Sequence, residues 1–161
     1  MIEIERKFLI DLEAFLAFAK AEKLTPSTII QGYLNSHPER CVRVRLRDSS
    51  AFITVKGASS DDGLSRYEWE KEISTSEAEE LLALCEPTPI HKSRFEVPYH
   101  GHLWEIDLFH NDNDGLAIAE IELNDPAESF KKPVWIQNEV TGNTMYYNAY
   151  IATHPYCSWH V

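Results

Sequence analysis

The sequence predicts a mainly β, α+β domain in which about eight antiparallel strands close into a barrel with a charged interior and a few outer helices. Three observations predict it. Segments of apolar/polar alternation recur along the whole chain. Within them, charges of one sign repeat at i, i+2, so each pair lies on one face of its strand. Connections are short and follow no βαβ rhythm, which favours antiparallel pairing. No linker divides residues 1–161, so one domain is expected.

Taken in order, residues 2–9 put Ile2, Ile4 and Phe8 on one face and Glu3, Glu5 and Lys7 on the other. Residues 12–23 carry Leu12, Phe15, Leu16 and Ala19 at helical spacing, with Asp11 as N-cap. Strands follow at 28–35, 40–48, 51–57 and 65–74. Ser76-Glu77-Ala78-Glu79 fits a capping box and opens a helix to Cys85, which Pro87 and Pro89 end. Strands resume at 91–98, 102–110 and 116–124, the first two joined by a hairpin turn at Tyr99-His100-Gly101-His102 that leaves both histidines exposed. Pro126 and Pro133 mark loops, and residues 143–153 suggest a last short helix.

The acidic pairs are Glu3/Glu5, Glu68/Glu70, Glu105/Asp107 and Glu120/Glu122; the basic sets are Arg43/Arg45/Arg47, Lys92/Arg94 and Lys56 beside Thr54. Opposite faces are apolar, with Val42, Val44 and Leu46, Tyr67 and Trp69, Trp104 and Ile106, and Ala119 and Ile121. Alternation alone is also what an open antiparallel sheet shows when one face is simply solvated. Three features favour a lumen. Like charges repeat along single strands, where neighbours repel. The apolar faces hold large aromatics expected to form the core under the helices. Eight strands suffice for closure. Carboxylates suit hard divalent cations, and Arg and Lys suit phosphate oxygens. A lumen with both suits a polyphosphate accompanied by metal ions.

The formal charge of −11 disfavours nucleic acid and anionic membrane as general partners. Three cysteines, Cys41, Cys85 and Cys157, fit a reducing compartment. No signal peptide or transmembrane run is read, so a cytoplasmic protein is expected. His154, Cys157 and His160 in the tail are a weak zinc pattern.

Glu3-Ile4-Glu5-Arg6-Lys7 matches the ExExK signature of the CYTH superfamily, the triphosphate tunnel metalloenzymes. Later segments resemble the family in order: Gln31-Gly32-Tyr33-Leu34, Val42-Arg43-Val44-Arg45, Thr54-Val55-Lys56-Gly57, Ser65 to Glu70, Lys92-Ser93-Arg94, Trp104 to Asp107, Ala119 to Glu122, and Glu139-Val140-Thr141 with Tyr146 and Asn148. The resemblance implies an eight-stranded tunnel open at both ends. It implies that Glu3, Glu5, Glu120 and Glu122 hold Mg²⁺ or Mn²⁺, with Glu68, Glu70 and Asp107 as further acidic candidates. It implies that Lys7, Arg43, Arg45, Lys56, Lys92 and Arg94 clasp the phosphates of a small-molecule triphosphate. Glu5, Lys7, Lys92 and Glu122 are the expected catalytic residues. Tyr33 reads either as a hydrogen-bond donor into the tunnel or as a buried aromatic, and Arg66 either as a lumen cation or as half of an ion pair. The chain looks most like the short bacterial members that hydrolyse inorganic triphosphate. Class IV adenylyl cyclase, organic triphosphatase and non-catalytic polyphosphate binder are the alternatives. One departure is Met145, where related short members often carry a basic residue.

Overall fold

A computed structural model of the chain describes residues 1–86 and 88–159. Pro87, expected to end a helix, and His160, part of the tail pattern, lie outside the described residues.

Eight strands form the barrel: β1 (Ile2–Ile10), β2 (Ser27–Asn35), β3 (Arg40–Arg47), β4 (Ser50–Ser59), β5 (Ser65–Ile73), β6 (Ile90–Tyr99), β7 (His102–Phe109) and β8 (Ala117–Glu122). Their order is β5-β4-β3-β2-β6-β7-β8-β1, and β1 returns to β5 to close the ring. Every neighbouring pair is antiparallel. β1 closes the barrel by dividing its length. Ile2–Ile4 pair with β5, while Phe8 and Ile10 pair with a ninth strand, β9 (Ile136–Glu139), on the same edge. β9 falls where the sequence suggested only loop. Four residues after Pro133 carry no clear alternation, and the strand exists because β1 offers it an unpaired edge.

The β6–β7 hairpin turns as expected. His100 (φ 47°) and Gly101 (φ 83°) are both left-handed, the geometry of a two-residue type I′ turn. His102, expected to be exposed, instead pairs through Nε2 with Glu128 at 2.9 Å.

The apolar faces point outwards and are covered in sectors. Helix α1 (Leu12–Ala21) starts at Asp11, whose carboxylate accepts the Ala14 N–H. It lays Phe15 against Phe95 and Trp135, and Phe8 meets Trp104 in the same cluster. Helix α2 (Thr75–Leu82) covers Val44 and Ala51 with Ala78. Its capping box is Ser74 with Glu77, not Ser76 with Glu79. Both pairs satisfy the same spacing, and the earlier one wins because β5 ends at Ile73, immediately before it. Gly32 is required here: a Cβ would lie 2.9 Å from the Cys85 Sγ packed under α2.

One sector stays bare. Tyr67 and Trp69 were expected in the core, but they are 48% and 45% exposed. Among the described residues no helix covers β5 on that side, so alternation placed them correctly outside the lumen while their burial depended on a covering layer not found there.

One end of the barrel is filled. Inward-facing Tyr33, Cys41, Ile90, Phe109 and Ile118 form an apolar floor, against which α3 (Asn148–Thr153) packs Ile151 and Ala152. The barrel is the closed eight-stranded tunnel expected, and this apolar base at one end gives the charged space above it the form of a cup.

Candidate active site

Above this floor lies a cavity of about 430 Å³, lined by six basic and seven acidic side chains. A smaller chamber of about 50 Å³ adjoins it near α3. Strand register builds the charge pattern, because residues directly across a ladder share a face. Lys7 lies opposite Glu120, and Glu120 opposite Glu105. Arg43 lies opposite Thr54, and Thr54 opposite Glu70. Arg94 lies opposite Asp107, and Lys56 opposite Glu68.

On β1, Lys7 Nζ donates to Glu120 at 2.5 Å and lies 3.2 Å from Glu5. Burial opposes its charge, but Glu120 and Glu5 outweigh burial and hold its pKa well above the ordinary lysine value. Glu3 accepts from Lys56 Nζ at 2.7 Å, and Glu68 lies 3.7 Å from the same ammonium. Glu122 makes no ion pair among the described residues, with Lys56 acting on it only at longer range. Burial, then the charges of Glu3 and Glu5, raise its pKa.

On the opposite wall, Arg43 and Arg45 lie 3.6 and 3.4 Å from Glu70. Thr54 Oγ1 donates to that carboxylate at 2.7 Å, and Arg43 Nη2 donates to Thr54 at 3.2 Å. The Nε–H groups of both arginines are buried without a hydrogen-bond partner among the described residues. Arg45 is pushed down to about 10, by burial and then by Arg43. These are two buried cations with unmet donors, an arrangement that an anion would relieve.

Arg94, Lys92 and Asp107 form a buried unit in the wall. Asp107 is 1% exposed and accepts a fork from Arg94, Nε at 2.7 Å and Nη2 at 2.8 Å. It also accepts from Lys92 at 2.7 Å. Burial would raise the Asp107 pKa, but Arg94 and Lys92 hold it well below the usual carboxylate range. One carboxylate serves two cations, so Lys92 gains less. Its burial, with Arg94 adding repulsion, pushes it down to about 8 despite Asp107. Arg94 also donates to Glu105 at 2.6 Å and lies 3.7 Å from Glu120. Lys92 and Asp107 line neither of the two cavities, whereas Arg94 faces the larger one.

The structure thus brings Glu3, Glu5, Lys7, Arg43, Arg45, Lys56, Glu68, Glu70, Arg94, Glu120 and Glu122 to one enclosed space. Tyr33 is buried at the smaller chamber, where its hydroxyl accepts from Gln31 at 3.5 Å. Arg66 lines that chamber too, and its guanidinium is taken by the carbonyls of Gly57 and Pro38 at 2.5 and 2.7 Å. Among the described residues no three acidic, His or Cys side chains stand together as a ready-made metal cage. Glu3, Glu5 and Glu120 are each turned onto a lysine instead.

The CYTH domain model matches residues 1–151. The chain belongs to the CYTH family. An inorganic triphosphatase of Acetivibrio thermocellus is 43% identical over 155 residues, covering 96% of this chain and 95% of that protein. An inorganic triphosphatase of Nitrosomonas europaea is 35% identical over 158 residues, covering 94% and 97%. The solved structure of the inorganic triphosphatase NE1496 aligns with a TM-score of 0.61 at 28% identity, over 93% of this chain and 97% of that one. A putative adenylyl cyclase from Hippeastrum shares the fold at 14% identity, with a TM-score of 0.60 over 78% and 80%.

Four residues of this CYTH cup stood in the sequence only as members of a charged row or a matching segment, without a role of their own. Arg47 and Glu105 line the cavity, and both extend an i, i+2 row already visible with Arg45 and Asp107. Thr54 orients Glu70, and Asn148 lines both spaces while accepting from Lys92 at 3.1 Å. Asn148 carries no periodic signal, since it reaches the lumen from α3 and not from a strand. Among the described residues no helix is long and apolar enough to cross a membrane.

Proposed function

We propose that this chain hydrolyses inorganic triphosphate to diphosphate and phosphate inside the cup, with Mg²⁺ or Mn²⁺. The observation that carries the reading is the pair of buried, unpartnered Nε–H donors on Arg43 and Arg45, facing a wall of carboxylates across an enclosed cavity. The names of two full-length relatives, at 43% and 35% identity, support the substrate class.

The charge count supports the metal. Six cations against seven carboxylates leave the lumen near neutral, so a polyanion entering alone would gain little net attraction. The donors fit a hard cation, because the acidic lining consists of carboxylate oxygens with no imidazole or thiolate in the larger cavity. Glu3, Glu5, Glu120 and Glu122 would hold it. When bound, the ion supplies charge neutralisation of the phosphate chain and a lower pKa for a water ligand.

The chain's own residues do the rest. Arg43 and Arg45 take phosphate oxygens through their forks, exchanging Glu70 for substrate. Lys56 and Lys7 neutralise oxygens at the opposite wall, and Arg94 adds a fixed charge held by Asp107 and Glu105. The apolar floor excludes bulk water from the closed end, which strengthens these interactions. A carboxylate of the lumen positions the attacking water or accepts its proton.

Purified protein assayed with Mg²⁺ or Mn²⁺ on inorganic triphosphate, ATP and thiamine triphosphate tests the proposal. Phosphate release is expected fastest from inorganic triphosphate and abolished by EDTA. Cyclic AMP from ATP, or tight binding of triphosphate with no phosphate release, would overturn it.

A further inference from the structure

The third arginine of β3 has no part in the scheme above. Arg43, Arg45 and Arg47 follow one another at i, i+2 on the same lumen wall, which spaces Arg43 from Arg47 by about 13 Å along the strand. Arg43 and Arg45 sit deep, beside Glu70 and Thr54. Arg47 stands at the mouth. It still lines the larger cavity, but its guanidinium is tied to the mouth of the barrel, to Glu96 on β6 and to Ser27 on β2 at 3.3 Å. Its side chain is 25% exposed, between the buried arginines below and open solvent above.

The two ends of a bound triphosphate meet different surroundings. A triphosphate seated on Arg43, Lys7 and Lys56, as in the scheme above, would direct its second end towards the mouth. In inorganic triphosphate that outer end is a free phosphate with a second ionisable oxygen. In a nucleoside or thiamine triphosphate the same position is an ester, with less charge and one fewer oxygen open to a guanidinium fork. Few other cations are available there: Leu103, Leu123 and Asn124 also line the mouth side, and Glu105 adds negative charge.

We propose that Arg47, positioned by Glu96 and Ser27, recognises the free outer phosphate and so selects inorganic triphosphate over esterified triphosphates. The inference rests on the triphosphatase reading and adds its specificity determinant. Sequence gives the arginine row, but the division of labour within it comes from depth: two members are buried over the acidic wall, and the third is held at the rim.

The test is Arg47→Gln, with Arg47→Lys beside it, read two ways. In steady-state assays, Arg47→Gln is expected to lower kcat/KM for inorganic triphosphate by about tenfold to a hundredfold, mainly through KM, the loss for a fork to a charged group. The value for ATP changes far less, so the ratio of the two narrows. Arg47→Lys, which keeps charge without the fork, falls between. Calorimetric binding of imidotriphosphate and adenylyl imidodiphosphate, which need no turnover, is expected to show the same selective loss. An equal loss for both ligands would assign Arg47 a general electrostatic or structural role and overturn the proposal. No change for either would overturn it as well. A wild-type protein that binds the two analogues equally would refute the selectivity even if phosphate release from triphosphate is confirmed. Selective binding without any turnover would refute the enzymatic reading and leave Arg47 as the selector.

Discussion

Replacing Asp107 with asparagine removes the one negative charge that Arg94 and Lys92 share in the barrel wall. The variant keeps shape, leaves Lys92 without a carboxylate and leaves Arg94 with Glu105 and the more distant Glu120, both cations having side chains under a tenth exposed. Breaking a buried pair by removing one partner costs about 3–5 kcal/mol. In a domain of this size each kcal/mol moves the melting temperature by about 2–4 °C, so the expected drop is roughly 6–20 °C. Thermal unfolding followed by circular dichroism at neutral pH reads it, with urea titration as a second measure. Adding Lys92→Met to Asp107→Asn should recover part of the loss, since one stranded cation then disappears. An Asp107→Asn protein melting within about 2 °C of wild type would refute the reasoning. Asp107 would then be an acid that the wall can spare, free to serve as the metal ligand the sequence suggested.

Two other outcomes follow from the same geometry. Glu120 is held down at about 2, where burial would raise it but Lys7 and Arg94 prevail, and Asp107 is depressed as well. Groups with depressed folded pKa values stabilise above the unfolded value and lose that contribution as pH falls through the folded one. In metal-free buffer, stability should therefore decline from about pH 5 towards pH 2, with Glu120 accounting for on the order of 3 kcal/mol. Glu105 and Glu122, shifted upwards, offset part of this. A melting temperature flat across that range would contradict the ion-pair account. At the closed end, Gly63→Ala should destabilise the β4–β5 loop, because φ is +72° and a Cβ would lie 2.3 Å from the Gly142 Cα. Limited proteolysis at residues 60–64 should speed up relative to wild type; equal rates would show that the contact is not needed.

Much of the site was legible because a strand's two-residue period sorts side chains without knowledge of the partners. The rows at Glu3/Glu5/Lys7, Arg43/Arg45 and Glu120/Glu122 reached one cavity for that reason. Partner choice was not legible. Asp107 and Glu105 form the same kind of pair as Glu120 and Glu122, yet register sets Asp107 opposite Arg94 and consumes it. The floor was hidden as well, since Tyr33, Cys41, Ile90, Phe109 and Ile118 come from five different strands and meet only on closure. Large aromatics at Tyr67 and Trp69 misled because a hydrophobic residue reports which face it takes, not whether anything covers it. β9 escaped because edge pairing, and not its own sequence, makes it a strand.

The near-neutral lumen couples its two ligands, since neither metal nor triphosphate should bind well without the other. Calorimetric titration of imidotriphosphate into the protein, with Mn²⁺ present and with EDTA, measures that coupling. Binding is expected to be strong with Mn²⁺ and at least a hundredfold weaker in EDTA, the upper part of the usual coupling range. Equal affinity under both conditions would contradict it, because six cations facing seven carboxylates would then be holding the phosphate chain unaided.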